Sequence, residues 1–261
     1  MLDLSSPSPT LALHARRFHD AALGAELQAG AFSHFDRRAF SRAEIAWGRA
    51  AWQQRTLDEY RSLVGLSEFL DEVGALGLPF DALATAVRVV RDEARHVELC
   101  RRMVKALGGS DQIPGEPTWV RSNRRQPLFE RALTSVMGSL CVGETLSVAL
   151  LAATRDVTDE PLTRAVLTCL TADESIHSRL GWTLLPLLWP QAARATKKRL
   201  TAEIGRSLRY AEQMTLDGAD DGPRNPFGDL KADERRRVFT RAVKRDVLDR
   251  FAALKIGPIR A

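Results

Sequence analysis

Two short segments with the pattern Asp-Glu-x-x-His, Asp92–His96 and Asp173–His177, lie inside long helical patterns. Residues three apart share one face of a helix, so the Glu and His of each segment can bind the same ion. The chain has only 5 histidines, and chance spacing predicts fewer than one such pair. Apolar residues flank both segments on the same helix face, and a buried carboxylate needs a partner or a metal. We therefore predict that both segments point into a helical core and hold metal, with a metal-free buried polar network as the alternative.

The rest of the sequence is also dominated by helical patterns, and we expect an all-α fold. Ser41 and Glu44 form a predicted capping box, which marks the start of a long first helix. Glycine and proline then divide the chain into further helices. The first two predicted helices span 41 to about 74 and about 81 to 108. The third begins near 127 and ends between 156 and 160, and the fourth begins at 161 and breaks by Pro186. A fifth helix at about 191–216 and a sixth at about 230–253 are separated by a loop at 217–228.

Four of these helices form two pairs, each joined by a short connection that favours an antiparallel hairpin. The pairs are joined by a loop of about 17 residues, from Ser110 to Gln126. Such a loop extends to about 55 Å, enough to return along a four-helix bundle. We predict three regions. Residues 1–40 form an N-terminal extension, a tail with at most one short helix, and residues 41–189 form the bundle. Residues 190–261 form a basic C-terminal extension of about two helices packed on the bundle.

A metal pair in a four-helix bundle needs one further Glu from each of the two remaining helices. The third helix offers Glu144, the only acidic residue between Glu130 and Asp156, and apolar residues surround it on its face. Glu130 lies in the first turn of that helix, where an acidic residue is expected in any case. We therefore select Glu144.

The first helix offers Glu44, Glu59, Glu68 and Glu72. Counted from the turn at 1.5 Å per residue, Glu59 lies at nearly the same height in the bundle as Glu93, whereas Glu44 and Glu68 do not. Glu59 is also the only charged residue in an apolar stripe with 4-3-4-3 spacing. Both tests select Glu59.

With these additions the sequence resembles the ferritin-like non-haem di-iron carboxylate superfamily, which uses Glu, Glu-x-x-His, Glu and Glu-x-x-His on four successive helices. The match covers about residues 41–186, and leaves 1–40 and 190–261 unexplained. The resemblance implies a ferritin-like four-helix bundle with one long crossover, two bound iron ions (or manganese ions), and O2 as co-substrate. The implied metal ligands, which are also the candidate catalytic residues, are Glu59, Glu93, His96, Glu144, Glu174 and His177.

The aspartate before each Glu has a predicted role beside the ligands. Metal-bound histidines commonly donate their second ring N–H to a carboxylate, which fixes the orientation of the ring. In relatives the Asp of one motif contacts the His of the other. The resemblance therefore pairs Asp92 with His177 and Asp173 with His96; the alternative is that both are surface acids.

The favoured function is that of an O2-dependent di-iron oxygenase or oxidase that hydroxylates, N-oxygenates or desaturates an organic substrate. The first alternative is a ferroxidase, an iron-handling protein or a manganese-dependent peroxide-decomposing protein. A tRNA-modifying di-iron hydroxylase is a lesser alternative, and a non-catalytic helical protein is the least favoured. The sequence offers no C-x-x-C pair and no G-x-G-x-x-G motif for an electron-carrying module, so an external donor of the ferredoxin and reductase type is implied.

Composition and sequence patterns predict the cellular location of this protein. The start of the sequence lacks the basic and apolar regions of a secretory signal, and no uninterrupted apolar run reaches the length of a membrane span. Three scattered cysteines, Cys100, Cys141 and Cys169, suit neither a disulfide framework nor a paired-cysteine metal site. We expect small core residues at Cys100 and Cys141, a cytoplasmic location, and no membrane partner.

Charge is distributed unevenly along the chain, whose net charge is +5. Residues 190–261 hold 17 Lys and Arg against 10 Asp and Glu, a net charge of +7, whereas residues 1–189 carry a net charge of −2. This distribution is compatible with a small-molecule substrate or one bound to a carrier. A nucleic-acid partner stays open but is not favoured, because few aromatic residues accompany the basic ones. The oligomeric state is open, with a dimer as one candidate.

Overall fold

The computed structural model describes residues 1–116, 125–216 and 225–259, and within these ranges the fold is all-α apart from one two-stranded pair. The larger elements in chain order are β1 (Leu2–Asp3), α1 (Pro9–Asp20), α2 (Ala29–Ser33), α3 (Arg42–Ala75), α4 (Phe80–Ala106), β2 (Gln112–Ile113), α5 (Leu128–Ser135), α6 (Glu144–Asp156), α7 (Pro161–Leu188), α8 (Arg194–Leu216), α9 (Ala232–Ala242) and α10 (Asp249–Ala253). A π-helical segment, Val136–Gly143, joins α5 to α6, and a second, Val243–Leu248, joins α9 to α10.

The first helical pair has the predicted extent. Ser41 caps α3 through its side chain, and the Glu44 carboxylate returns to the Ser41 backbone N–H at 2.8 Å, completing the capping box. The turn after α3 contains Gly77 at a φ of 63°, a left-handed conformation that glycine adopts without strain. Because the turn is short, α3 and α4 pack against each other along their length.

The third predicted helix has the right extent but contains the π-helical segment, which periodicity did not indicate. A π segment accommodates one extra residue in a helix and so changes the direction of the side chains that follow it. Here it ends at Gly143, directly before Glu144. Gly181 of α7 lies against it, and a Cβ on Gly181 would lie 2.6 Å from the Leu140 Cβ. The absence of a side chain at Gly181 therefore allows the two helices to approach closely.

The predicted break of the fourth helix at Pro186 is wrong, because α7 continues through it to Leu188. Proline removes one backbone donor and crowds the preceding turn. Pro186 lies only two residues from the end of α7 and is exposed, so little of the helix remains to be disrupted. At the other end, the Glu160 carboxylate accepts from the backbone N–H groups of Leu162 and Thr163, which fixes the start of α7.

The N-terminal extension is more structured than the predicted tail. Leu2 pairs with Ile113 across β1 and β2, and a second helix, α2, follows α1. Phe32 of α2 is buried, and the guanidinium of Arg102 on α4 bonds the Leu27 carbonyl at 3.1 Å. Sequence patterns within 1–40 do not indicate these contacts, since each depends on a residue far along the chain.

The C-terminal region contains helices near both predicted positions. α8 matches the predicted fifth helix, and α9, the second π segment and α10 together match the sixth. Most of the predicted loop at 217–228 lies outside the described residues. α9 packs on α6, and α8 packs on α9 and on the first π segment.

The four long helical stretches enclose a polar layer between two groups of buried apolar side chains. We call these groups the first cluster, around Phe69 and Leu185, and the second cluster, around Trp52 and Leu99. Along α3, α4 and α7, the residues before and after the predicted ligands belong to different clusters. The ligands on these helices therefore lie where the two hydrophobic regions meet, away from both ends of the core.

The stretch Leu128–Asp156 is long and apolar enough to cross a membrane, with a mean hydropathy of 1.7 over its best window. The prediction that no apolar run reaches the length of a membrane span is therefore corrected for this stretch. Half of that window is buried inside the protein, and a helix that is apolar all round is also typical of a protein core. Its contacts with α7 account for much of its apolar character.

Gly181→Ala is expected to destabilise the protein. The new methyl group would meet the Leu140 and Cys141 backbone, which cannot move aside as a flexible side chain can, and we expect a loss of about 1–3 kcal/mol in the free energy of unfolding. Gly65→Ala in α3 is the matched control, because no atom lies within 4 Å of the position that its new methyl group would occupy. There the better helix propensity of alanine should be neutral or stabilising. Urea denaturation of both variants measures the difference, and equal stabilities would contradict the close approach of α5–α6 to α7.

Candidate metal centre

The six predicted ligand side chains converge from four helical stretches. α3 contributes one, α4 contributes two, α6 contributes its first residue and α7 contributes two. All six are buried, with exposed fractions between 0% and 7%. Their oxygen and nitrogen atoms form two overlapping groups, and within each group the candidate ligand atoms lie within 4.8 Å of one another. One group is Glu59, Glu93, His96 and Glu174, and the other is Glu93, Glu144, Glu174 and His177.

Glu174 and Glu93 belong to both groups and lie at the middle of the site. The Oε1 atom of Glu174 lies 3.5 Å from His96 Nδ1, while its Oε2 atom lies 3.1 Å from His177 Nδ1. Glu93 Oε1 lies 3.1 Å from His177 Nδ1 and 3.9 Å from His96 Nδ1. These two carboxylates are therefore placed to bridge two ions, one near each imidazole.

Glu59 and Glu144 lie at opposite ends of the site. Glu59 Oε2 lies 3.3 Å from His96 Nδ1, and Glu144 Oε2 lies 3.9 Å from His177 Nδ1. The two imidazole rings are 5.7 Å apart between centroids. Each end thus has one histidine and one carboxylate of its own.

The other acidic candidates of the first helix serve different purposes. Glu44 closes the capping box of α3. Glu72 is buried, but its carboxylate lies 3.5 Å from Arg131 and accepts a hydrogen bond from Ser135, away from the six ligand candidates. Burial alone therefore does not identify a ligand in this helix, and the height and phase tests were needed to distinguish Glu59 from Glu72.

The outer ring nitrogens face the predicted aspartates. His96 Nε2 lies 3.2 Å from Asp173 Oδ2, within hydrogen-bond distance. His177 Nε2 lies 3.7 Å from Asp92 Oδ2. This distance is longer than a hydrogen bond, but Asp92 is the partner that was predicted for His177. The Nδ1 atoms of both rings are thereby directed towards the four glutamates.

Arg95 joins the two aspartates and was missed by the sequence reasoning. Its Nη2 atom lies 3.0 Å from Asp92 Oδ1 and 2.5 Å from Asp173 Oδ2. Arg88 and Arg91 add contacts to Asp92 from the more exposed side. The available signal was the position of Arg95 inside the motif, three residues after Asp92 and therefore on the same helix face.

Burial and neighbouring charges shift the pKa values of the clustered glutamates in different directions. Burial, followed by the negative charge of Glu174, raises the pKa of Glu93 to about 7. The same two causes raise the pKa of Glu144 well above its ordinary value. Burial also opposes ionisation of Glu174, but hydrogen bonding to Glu144, His177 and His96 lowers its pKa. These opposite directions make Glu144 the carboxyl group of this pair that favours the protonated form, and Glu174 the one that favours the charged form.

The neighbouring carboxylates raise the pKa values of both histidine rings. Burial would lower the pKa of His177, but interactions with Asp92, Glu174 and Glu93 raise it to about 11. The pKa of His96 is also raised despite burial, through Asp173, Glu174 and Glu59. Protons thus provide the positive charge that four clustered carboxylates require.

The donor set fits two divalent ions. Four carboxylates supply the charge to neutralise them, and mixed oxygen and imidazole ligation suits iron or manganese. Both carboxylate oxygens of Glu93 and the Nδ1 atom of His96 are buried without a hydrogen-bond partner among the described residues. Buried polar atoms of this kind are costly unless something else binds them. A metal pair between Glu93 and Glu174 would satisfy all three atoms.

A short hydrogen-bonded chain lies beside the site and was also missed. Trp182 Nε1 donates to Thr145 Oγ1 at 3.0 Å, and Thr145 Oγ1 lies 2.7 Å from Ser178 Oγ. Thr145 follows Glu144 and Ser178 follows His177, so the chain connects both ligand-bearing helices to a partly exposed tryptophan.

Two cysteines have the predicted place in the core. Cys100 and Cys141 are both 0% exposed. Burial raises the pKa of each thiol, so both remain protonated. This supports the interpretation of both as small core residues.

Comparison with known proteins gave no match: no family model, no curated protein and no solved structure is similar to this chain.

Arg95→Met is expected to weaken metal binding without removing a ligand. Without the guanidinium, Asp92 and Asp173 lose the cation between them and hold the histidines less firmly. Changes of this kind lower metal affinity by about 10–100-fold. Competition titrations with Mn(II) under argon measure the effect. Arg91→Met is the control, because the Arg91 side chain is 46% exposed and contacts Asp92 without joining it to Asp173. An unchanged affinity for Arg95→Met would show that Arg95 does not position the ligands.

Metal binding is expected to release protons and to tighten as the pH rises. Because the pKa of His177 is about 11 in the metal-free protein, its ring is protonated at neutral pH and must lose a proton to bind a metal. His96 behaves in the same way. Calorimetry of Mn(II) binding in buffers of different ionisation enthalpy counts the released protons, and titrations at about pH 6 and about pH 8 give the trend. Binding without proton release would exclude both rings as ligands.

Proposed function

We propose that this chain is a di-iron oxidoreductase of the ferritin-like type that uses O2 to oxidise an organic substrate. The observation that supports it most strongly is the convergence of Glu59, Glu93, His96, Glu144, Glu174 and His177 in two overlapping groups. The order of these residues along the chain is Glu, Glu-x-x-His, Glu, Glu-x-x-His. That order and the burial of all six together favour a dedicated metal site over an incidental cluster of acids.

The arrangement of the long helices supports the ferritin-like part of the proposal. The two packed pairs are α3 with α4, and α5–α6 with α7, and α4 contacts α7 between them. Contacts from Arg95 to Asp173 and from Asp92 to His177 run in opposite chain directions, so α4 and α7 are antiparallel. In the proposed topology, the connection between α4 and α5 would serve as the long crossover.

In the proposed enzyme, Glu93 and Glu174 would contribute to both halves of the metal site, Glu59 and His96 would hold metal in one half, and Glu144 and His177 would hold it in the other. Asp173 and Asp92 keep the Nδ1 atoms directed inwards, and Arg95 fixes both aspartates. When bound, two iron ions would supply the activation of O2 for hydroxylation, N-oxygenation or desaturation.

The surrounding residues would protect this chemistry. The two hydrophobic clusters on either side of the polar layer exclude water from it. Thr145 and Ser178, the residues that follow Glu144 and His177 in the sequence, are hydrogen-bonded to each other and so join the two helices that carry these ligand candidates.

One observation favours the alternative of a protein that oxidises or handles iron, or decomposes peroxide with manganese. Two surface cavities of about 280 and 490 Å³ lie against α9 and its π segment, and neither is lined by any of the six ligand candidates. An enzyme for an organic substrate needs access to its centre. Iron oxidation needs access only for small ions and O2. The same metal site would serve both functions, so the two proposals differ in what is consumed.

Metal content after anaerobic loading with Fe(II) and desalting tests the proposed site. We expect about two iron ions per chain. Glu144→Gln should lose at least one of them, because the amide keeps the shape of the side chain but loses its charge. Glu72→Gln is the matched control, since Glu72 is equally buried but lies against Arg131 and Ser135, and it should retain full metal content.

The outcomes separate the alternatives. A folded wild-type protein that retains no iron would contradict both the oxygenase and the iron-oxidising proposals. If iron is retained, exposure to O2 distinguishes them. Consumption of O2 only in proportion to the iron oxidised would favour iron handling, whereas repeated consumption with an added reductant would favour the oxidation of a substrate.

A further inference from the structure

Exposed basic side chains form a stripe along α9 and the π segment that follows it. The stretch 235–245 contains six basic residues and no acidic residue. Among the described residues, Arg237 forms an ion pair with Asp233 at 2.7 Å. Asp246 is the first acidic residue after this stretch. We define the basic stripe as Arg236, Arg237, Arg241, Lys244 and Arg245.

The shape of the basic stripe fits a protein surface better than a small ligand. Its residues and Thr240 line an open depression of about 490 Å³. From Arg237 to Arg245 the helix rises by about 12 Å. All five basic side chains are exposed, whereas sites for small phosphates usually combine enclosed walls with a few convergent polar groups. An extended charged face of this kind steers a protein of opposite charge into contact.

The position of the basic stripe places it next to the ligand-bearing helices. α9 packs on α6, whose first residue is Glu144. The second cavity, of about 280 Å³, shares Arg237 and Arg241 with the stripe and is also lined by Ala153 of α6 and by Val157, the residue after that helix. Ala153 lies about 14 Å along α6 from Glu144, so α6 connects the region of the stripe with the candidate metal centre.

A contact between an arginine and a tryptophan also connects the C-terminal helices with the surroundings of the candidate metal centre. The guanidinium of Arg250 on α10 lies 5.1 Å from the centre of the Trp182 ring. Trp182 donates to Thr145, the residue after Glu144. A partly exposed aromatic ring therefore lies between the surface beside the stripe and the residues that adjoin the ligands.

The proposed oxygenation needs electrons that this chain does not store. Insertion of one oxygen atom of O2 into a substrate consumes two electrons and two protons from outside, and the second oxygen atom leaves as water. Iron–sulfur clusters are held by four cysteines, and the chain has 3. A separate electron carrier must therefore contact this protein.

We propose that the basic stripe is the docking surface for an acidic iron–sulfur electron-transfer protein; this rests on the proposed function. Each encounter oxidises the cluster of the partner by one electron, and two encounters supply the pair that the oxygenation consumes. A nucleic acid is less suited to this surface, because the nearby Phe239 and Phe251 are buried and cannot stack on bases.

The test is the binding of an acidic plant-type [2Fe–2S] ferredoxin, kept in its oxidised form so that no electron transfer accompanies binding, labelled with a fluorophore and followed by anisotropy. The stripe variant is Arg237→Gln/Arg241→Gln/Arg245→Gln. The control variant is Arg194→Gln/Lys198→Gln/Arg206→Gln, which removes the same charge from exposed positions on α8. We expect salt-sensitive binding to the wild type, at least about a tenfold loss in the stripe variant, and less than about a twofold loss in the control.

Three results would overturn the docking surface: no binding to the wild type, equal losses in the two variants, or stripe-dependent binding of tRNA without binding of ferredoxin. The anisotropy is measured on metal-free and on iron-loaded protein, so it does not depend on activity. Stripe-dependent binding in a protein that fails to retain iron supports the docking surface and contradicts the proposed function. Iron retention without ferredoxin binding overturns the docking surface alone.

Discussion

The free-energy cost of burying four carboxylates and two imidazoles in one small volume governs the rest of this structure. Like charges this close cannot all remain ionised without compensating positive charge. The neighbouring carboxylates raise the pKa values of His96 and His177, and burial raises the pKa of Glu144, so protonation of these groups is favoured. Metal ions bound at this site would compete with these protons for the same side chains.

The surroundings of the site follow from this constraint. Two hydrophobic clusters, one on each side of the polar layer, stabilise the helices that carry it. The Arg95 guanidinium neutralises Asp92 and Asp173, which in turn orient the histidines. The close contact of Gly181 with the π segment holds α6 against α7, where Glu144 meets Glu174. The functional geometry therefore depends on residues that never touch an ion.

Local patterns predicted the parts of this structure that are set within one helix. The capping box, the lengths of α3 and α4, and the helix face of each Glu-x-x-His pair depend on neighbouring residues only. Features that depend on distant residues were missed, including the π segment, the chain from Trp182 to Ser178, and the anchoring of the N-terminal extension by Arg102. The predicted helix break at Pro186 was wrong because the effect of a proline depends on how far it lies from the end of the helix. The sequence pattern placed that end too early.

The central claim is that the six buried side chains at the meeting point of four helical stretches would hold two metal ions, with Glu93 and Glu174 shared between them. Anomalous diffraction from crystals grown with Mn(II), recorded at the manganese absorption edge, tests it most directly. We predict two peaks per chain, about 3.5–4 Å apart, both within coordination distance of Glu93 and Glu174. A single peak, or peaks only at surface carboxylates, would contradict the account.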